Sequence, residues 1–145
     1  ENYEVSAWAR PGEVCRHNLN YWQFGDYLGI GAGAHGKITT GGSILRYAKT
    51  RAPDDYLRGR DGRAQERILT YDELPGEFML NALRLSRGFD LATFRERTAL
   101  GRSALEPALS AAVERGLLHV DGGRIATTAL GRRYLDGVVA GFFPG

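Results

Sequence analysis

The sequence predicts an α+β protein whose second half forms a winged-helix-like, mainly helical domain over residues 71–145. One observation behind this prediction is an alternation of apolar residues over 3–9, which is typical of a strand. The others are a glycine-rich stretch over 25–36 and a series of capped apolar stripes in the second half. A length of 145 residues with 43% hydrophobic content suffices for the cores of one or two small domains.

A ring-rich segment, CRHNLNYW, follows the first strand at residues 15–22. If this segment is helical, His17 and Tyr21 share one face, and Asn18 and Trp22 share another. The residues alone favour a packed segment in which the histidine is a satisfied hydrogen-bonding group. The alternative is a ligand-binding face, since an imidazole can bind a metal and the rings offer flat apolar area.

The glycine-rich stretch begins with a predicted strand, DYLGI, along which Gly29, Gly31 and Gly33 alternate. Alternating glycines remove side chains from one face of a strand, where another backbone or a flat ligand can come close. The run GAGAHG also matches the dinucleotide pattern G-x-G-x-x-G, but KITTGGS follows instead of the helix that this pattern requires. We therefore predict a strand that ends at His35.

An arginine-rich stretch, RYAKTRAPDDYLRGRDGRAQER, separates the two halves and shows no sustained apolar period. It predicts an exposed basic connector over 46–70, with a short helical turn after Pro53. A solvated linker is favoured over a site for carboxylates or phosphates. The predicted domains are therefore 1–45, 46–70 and 71–145.

Beyond the connector, the sequence predicts helices with a recognisable start and stop. The first contains Pro75 in its first turn, carries an apolar stripe that includes Phe78, and ends before Gly88. The second begins after the N-cap residue Asp90 and ends at Gly101.

A third helix is predicted over 103–115, where Ser103 and Glu106 have the spacing of a capping box. Two short strands flank the turn Asp-Gly-Gly, which predicts a hairpin near 117–127. The segment TALGRRYLDGVVAGFF then predicts a closing amphipathic helix. Helices, a hairpin and a last helix in this order are the basis of the winged-helix-like prediction.

The charges disfavour a DNA-binding role for this domain. Outward positions of the predicted third helix offer two carboxylates, Glu106 and Glu114, against the single guanidinium of Arg115. The net charge of +2 arises from 17 arginines and two lysines dispersed among 17 acidic residues. No nucleic-acid partner is therefore predicted, and His119 is interpreted as an exposed residue of a wing strand.

The chain contains nothing like a signal peptide or an apolar run of membrane-spanning length, which predicts a cytoplasmic protein. Its single cysteine, Cys15, excludes an internal disulfide and an independent multi-thiolate cluster. The sequence starts without Met on a strand that has no preceding partner, and we expect a piece of a longer chain.

Five segments carry a resemblance to a known family: YEVSAWARPG, HNLNYW, YLGIGAGAH, EFMLNALRL and TTALGRRYLD. Together they resemble the C-terminal part of the oxygen-independent coproporphyrinogen III oxidase-like family of radical S-adenosylmethionine proteins, and the HNxxYW form is similar to its haem chaperone branch. The resemblance covers essentially the whole chain. It implies the end of a radical-SAM partial β/α barrel over 1–45, followed by the helical C-terminal domain.

The resemblance also implies a [4Fe-4S] cluster and S-adenosylmethionine in a full-length parent protein. The family's run of three cluster cysteines is absent, and Cys15 alone cannot replace it because three thiolates must hold the cluster. We therefore expect no radical chemistry from this chain by itself, although the parent resembles a radical SAM enzyme. In the parent, Gly31, Gly33, Ala34 and His35 are implied to border S-adenosylmethionine, and His35 is given no catalytic role.

For the HNxxYW segment, the resemblance implies haem binding by His17, Asn18, Tyr21 and Trp22, with His17 as the iron ligand. The implied function is haem binding and transfer to haem-accepting apoproteins. The alternative is a part of an oxygen-independent coproporphyrinogen III oxidase in porphyrin biosynthesis. Peripheral membrane association and a homodimer of the parent are left open.

Overall fold

The structure, a computed structural model, describes residues 1–59 and 62–145. In chain order, its elements are β1 (Asn2–Glu4), β2 (Ala7–Trp8), α1 (Arg16–Trp22), β3 (His35–Thr40), β4 (Ser43–Lys49), α2 (Pro53–Arg58), β5 (Arg63–Ile68), α3 (Leu74–Ala82), β6 (Phe89–Asp90), α4 (Leu91–Thr98), a short 3-10 helix (Arg102–Leu105), α5 (Ala108–Glu114), β7 (Leu118–Asp121), β8 (Arg124–Thr127), α6 (Ala129–Arg133) and α7 (Leu135–Ala140).

These elements fall into two units. Unit 1 comprises Glu1–Phe24 and Tyr71–Gly145, and unit 2 comprises Gly25–Thr70. The division differs from the predicted boundaries, because the N-terminal segment with its HNxxYW motif folds with the second half of the chain. None of the helices in the described parts of the chain has the length and apolar character needed to cross a membrane.

The N-terminal residues form a small hairpin where a single strand was predicted. β1 and β2 pair antiparallel. The Glu4 carboxylate turns the chain between them, because it accepts hydrogen bonds from the amide and hydroxyl of Ser6 at 2.8 and 2.7 Å. The Asn2 side chain also donates to the Ala7 carbonyl at 3.3 Å. Apolar alternation over 3–9 therefore concealed a tight turn made by polar side chains.

The strand predicted along the glycine-rich stretch was wrong. Only Tyr27 pairs there, in an isolated bridge to β3. Gly31 and Gly33 have φ angles of +102° and +73°, which an extended strand does not allow. The close backbone approach is nevertheless present, since a Cβ on Gly29 would lie 2.3 Å from the His35 carbonyl oxygen. His35 begins β3 instead of ending a glycine strand.

Unit 2 is built on an antiparallel sheet in the order β3-β4-β5. The prediction of a connector over 46–70 was wrong for most of β4 and for β5, and only the helical turn after Pro53 is confirmed, as α2. β5 lies at the sheet edge and all six of its residues are exposed. A solvated edge strand of this kind carries charged side chains and lacks the apolar alternation that identifies strands in a sequence.

A buried lysine helps to close unit 2. The side chain of Lys37 is only 1% exposed, and its Nζ donates to the Asp26 carboxylate at 2.8 Å. Partial burial alone would raise the pKa of Asp26, but hydrogen bonds from Lys37 and Thr39 and the charge of Lys37 hold it below its ordinary value. The pair joins the start of the glycine-rich stretch to β3.

The core of unit 1 lies around α3, which confirms the helix predicted after Pro75. Phe78 is fully buried and makes edge-to-face contacts with Phe24, Phe89 and Phe94, with ring centroids 4.9 to 5.6 Å apart. Such contacts add to the free energy of burying the rings. The hairpin predicted near 117–127 is also confirmed as β7 and β8, and β6 pairs with β8 as a third strand.

The helix predicted over 103–115 was wrong as one element. It consists of the 3-10 helix and α5, interrupted at Glu106 and Pro107. Glu106 is extended, with φ −91° and ψ 148°, because a residue before proline disfavours the helical conformation. The capping box with Ser103 is not formed. The Glu106 carboxylate instead accepts hydrogen bonds from the amide and hydroxyl of Ser110, which hold its pKa below the ordinary value.

Two other helix ends differ from their predictions. Asp90 precedes α4 but makes no side-chain cap, since its carboxylate pairs with Arg124 at 2.8 Å. α4 ends at Ala99 with a φ of +58°, two residues before the predicted stop at Gly101. The closing helix is divided into α6 and α7 at Tyr134, whose φ of −116° and ψ of 32° are not helical.

Candidate functional site

The helix α1 carries the HNxxYW motif and confirms the predicted helical conformation of this segment. Cys15 precedes it in an extended conformation and makes no side-chain cap. No residue of α1 is fully buried. The spacing of four residues between His17 and Tyr21, and between Asn18 and Trp22, therefore produces two distinct faces.

One face of α1 is tied to its surroundings by hydrogen bonds. Asn18 Nδ2 donates to the Tyr3 hydroxyl at 3.1 Å, which joins α1 to the N-terminal hairpin. Asn81 Nδ2 in α3 donates to the Tyr21 backbone carbonyl at 3.4 Å. These bonds come from elements on either side in the sequence, and both lie within unit 1.

Trp22 is held on this packed face by a cation. The guanidinium carbon of Arg84 lies 4.5 Å from the centroid of the Trp22 ring. Arg84 also pairs with the Glu4 carboxylate at 3.3 Å. Trp22 Nε1 is buried without a hydrogen-bond partner among the described residues. One side of the indole is therefore covered by a protein cation.

Glu4, the carboxylate that pairs with Arg84, is buried, with a side chain only 2% exposed. Burial alone would raise its pKa, but the hydrogen bonds from Ser6 and the charge and hydrogen bond of Arg84 outweigh burial, so the pKa of Glu4 lies below its ordinary value. The carboxylate is therefore ionised near neutral pH and presents a fixed negative charge to Arg84.

The other face of α1 carries His17 and Tyr21. His17 is exposed, and none of the described residues makes a hydrogen bond or ion pair with its imidazole. Tyr21 is half-buried, and its ring meets the Trp22 ring edge to face, with centroids 4.6 Å apart. Cys15 and Arg16 are exposed.

The residues implied to border S-adenosylmethionine lie in unit 2, apart in the chain from the α1 motif. Gly31, Gly33 and Ala34 bond within that unit, and the Gly33 amide donates to the Thr50 carbonyl at 2.8 Å. His35 is exposed at the start of β3. His119 is an exposed residue of β7, as expected for the wing strand.

Within residues 1–59 and 62–145, no three His, Cys, Asp or Glu side chains gather in a way that could hold a metal ion. The single thiol of Cys15 provides one ligand of the three that a cubane cluster needs. The residues present therefore do not fit a [4Fe-4S] cluster. A single exposed imidazole does fit the axial position of a haem iron, which needs only one protein ligand.

Sequence reasoning missed Glu4, Arg84, Tyr3 and Asn81 as partners of the motif. Glu4 and Arg84 are 80 residues apart in the sequence, so no spacing signal joins them. The only local indication is an acidic residue, Glu4, within an alternating apolar segment.

Comparison with known proteins shows the family to which this chain is related. Residues 69–134 match the family model described as the HemN C-terminal domain. The chain is 44% identical over 119 residues to "Heme chaperone HemW" of Escherichia coli, covering 81% of this chain and 31% of that protein. It is 38% identical over 137 residues to the protein of the same name from Haemophilus influenzae, covering 94% of this chain and 36% of that protein.

Among solved structures, the chain is similar to the radical SAM enzyme coproporphyrinogen III oxidase (HemN) from Escherichia coli, with a TM-score of 0.57 and 17% identity. The similarity covers 97% of this chain and 37% of that structure, and it shows a shared fold. The chain thus spans about a third of the length of the curated relatives that it matches.

Proposed function

We propose that this chain, which belongs to the oxygen-independent coproporphyrinogen III oxidase-like family of radical SAM proteins and to its haem chaperone branch, is the haem-binding part of a haem chaperone. The full-length protein would bind haem and pass it to haem-accepting apoproteins. Haem is the cargo in this proposal. The same proposal places the parent in the cytoplasm.

The exposed imidazole of His17 is the observation that carries this proposal. A histidine that was only structural would have hydrogen-bond partners, and the described residues provide none. A neutral imidazole is a common axial ligand of haem iron. Tyr21, one helical turn further on, offers part of a flat aromatic ring beside it.

The other two residues of the motif take a different role in this proposal. The resemblance implied haem contact for Asn18 and Trp22 as well. Their contacts with Tyr3 and Arg84 favour a role in holding α1 against unit 1. The motif then combines a binding face, His17 and Tyr21, with an anchoring face on the same short helix.

A site of this kind suits a protein that releases its ligand. One protein ligand on an exposed helix leaves much of the macrocycle accessible, so an acceptor protein can approach the iron and replace the imidazole. A cofactor retained for catalysis is instead enclosed by its pocket. The geometry therefore supports reversible haem binding.

An oxidase function of the parent is the second candidate. Its support is the similarity to coproporphyrinogen III oxidase, which at 17% identity is a similarity of fold. The curated relatives that cover most of the chain at 32 to 44% identity include proteins named as haem chaperones. Radical chemistry would depend on S-adenosylmethionine and a cluster held by residues of the parent outside this chain.

A haem titration of the full-length parent tests the proposal in the Soret region. His17→Ala should weaken haem affinity at least tenfold, which corresponds to about 1.4 kcal/mol, and shift the Soret band towards that of free haem. His119→Ala, which removes another exposed histidine of unit 1, should bind haem as the unsubstituted protein does. A folded His17→Ala protein with unchanged affinity and spectrum would overturn His17 as the ligand.

A further inference from the structure

We propose that Arg84 is a positioning residue for the haem-binding helix: held by Glu4, it fixes Trp22 and thereby the direction of the His17 face of α1. This inference deepens the proposed function and rests on it where haem is concerned. It assigns a role to two charged residues outside the HNxxYW motif.

The helix α1 depends on tertiary contacts for its orientation. It has seven residues, no fully buried side chain and no side-chain cap at its N-terminus. Helices this short are unstable by themselves in water, since nucleation is costly and few hydrogen bonds follow it. The contacts of Asn18, Tyr21 and Trp22 described above therefore contribute to where the helix lies.

Arg84 is suited to this task by its two simultaneous contacts. Its guanidinium stacks over Trp22 at 4.5 Å and pairs with Glu4 at 3.3 Å. A planar guanidinium can stack on a ring and donate hydrogen bonds at its edge, whereas a lysine ammonium cannot do both in the same way. Glu4 is 2% exposed, and the described residues offer it no other cation.

The residues that contact α1 from the second half of the chain, Asn81 and Arg84, lie in or next to the buried helix α3. Eight of its nine residues are buried. Arg84 follows its C-terminal end, and Asn81 within it donates to the Tyr21 carbonyl at 3.4 Å. Polar groups of Asn81 and Arg84 thus hold α1 near the core helix, and no residue of α1 is fully buried. This arrangement leaves His17 exposed to a ligand.

The test compares variants of the full-length protein by haem titration and by hydrogen exchange of peptides covering α1. Arg84→Met retains much of the apolar stem and removes the charge. We expect haem affinity to fall about threefold to tenfold, which is at or just below the lower end of the effects seen for residues that orient a metal ligand. We also expect the α1 amides to exchange faster. α5 amides should exchange at the rate of the unsubstituted protein.

Further variants separate positioning from general stability. Arg84→Lys should restore part of the affinity, because it keeps the pair with Glu4 and loses the planar stack. Arg133→Met, a change at an exposed arginine of α6, should leave both measurements unchanged. If Arg84→Met does not fold, Glu4→Gln provides the same test, since it removes the charge and retains the shape.

The outcomes distinguish this inference from the proposed function. If His17→Ala loses haem affinity while a folded Arg84→Met protein does not, the positioning role is wrong and the haem site stands. If His17→Ala binds haem normally, the proposed haem site is wrong. The hydrogen exchange of α1 amides in Arg84→Met then tests by itself whether Arg84 positions the helix. Unchanged α1 exchange in both Arg84→Met and Glu4→Gln overturns the inference in either case.

Discussion

Two helices of unit 1, α1 and α3, both carry aromatic residues but are held in opposite ways. α3 buries eight of its nine residues, and Phe78 lies at the centre of an aromatic cluster. α1 buries none completely, and its contacts include a side-chain hydrogen bond and a guanidinium over its tryptophan ring. Aromatic content by itself therefore does not distinguish a buried core helix from a partly exposed helix.

The difference has an energetic consequence. Burial of apolar area stabilises α3 through many small contacts, and removing a large side chain there leaves a cavity. The hydrogen bonds and the cation–π contact of α1 contribute about 1 kcal/mol each. We expect substitutions in α3 to change the free energy of unfolding of unit 1, and substitutions in α1 to change ligand binding more than stability.

The largest effect should come from Phe78→Ala. It removes a fully buried ring with three aromatic neighbours and should lower the free energy of unfolding by about 3–5 kcal/mol. Both tryptophans, Trp8 and Trp22, lie in unit 1, so urea unfolding followed by tryptophan fluorescence reports on this unit. Leu80→Ala, at a position 46% exposed on the same helix, should cost less than about 1 kcal/mol. Equal losses at the two positions would contradict α3 as the core helix.

A smaller loss is expected from Gly76→Ala, which tests how closely α3 is packed. A Cβ at this position would lie 2.5 Å from the Phe143 ring, so the ring must shift, at a cost of about 1–3 kcal/mol. Gly137→Ala in α7 is the control, because its Cβ would meet no atom within 4 Å. There the change should stabilise by about 0.5–1 kcal/mol, since alanine is the better helix former. The two urea midpoints should move in opposite directions.

Acid should weaken the attachment of α1 before it affects α3. The pKa of Glu4 is lower in the folded chain than its ordinary value of 4.5, so its ionised form stabilises the folded state at pH values above about 4.5. This contribution, about 1.5 kcal/mol for a hydrogen bond to a charged group, is lost as the pH falls through the lowered pKa. Hydrogen exchange of α1, corrected for the intrinsic pH dependence, should therefore show loss of protection on acidification. In Glu4→Gln the same acid step should be absent, and its persistence would assign the titration to another group.

The smallest stability effect is expected from Tyr21→Ala. Its ring is half-buried and meets the Trp22 ring edge to face, with centroids 4.6 Å apart, so the free energy of unfolding should fall by about 1 kcal/mol. Haem affinity in the full-length protein should also fall, because the substitution removes aromatic area beside His17. A loss of stability like that of Phe78→Ala would place Tyr21 in the core and remove the distinction between the two helices.

Local sequence signals were sufficient to predict those elements that depend on neighbouring residues. The proline start and apolar stripe predicted α3, the Asp-Gly-Gly turn predicted the β7–β8 hairpin, and the spacing in HNLNYW placed His17 and Tyr21 on one face of α1. The family followed from the same motifs. Caps, turns and helical periods involve residues within about four positions of one another, so they can be recognised in the sequence alone.

The partners of the HNxxYW helix and the strands of the unit 2 sheet depend on tertiary contacts. β5 became a strand by pairing with β4, although its own exposed residues carry no strand pattern. Arg84 contacts Glu4 and Trp22 across long stretches of chain, and these contacts cover one side of the Trp22 ring. Such contacts form only when folding brings distant segments together, and they stabilise the protein only in that folded arrangement. Short-range sequence patterns therefore do not reveal them.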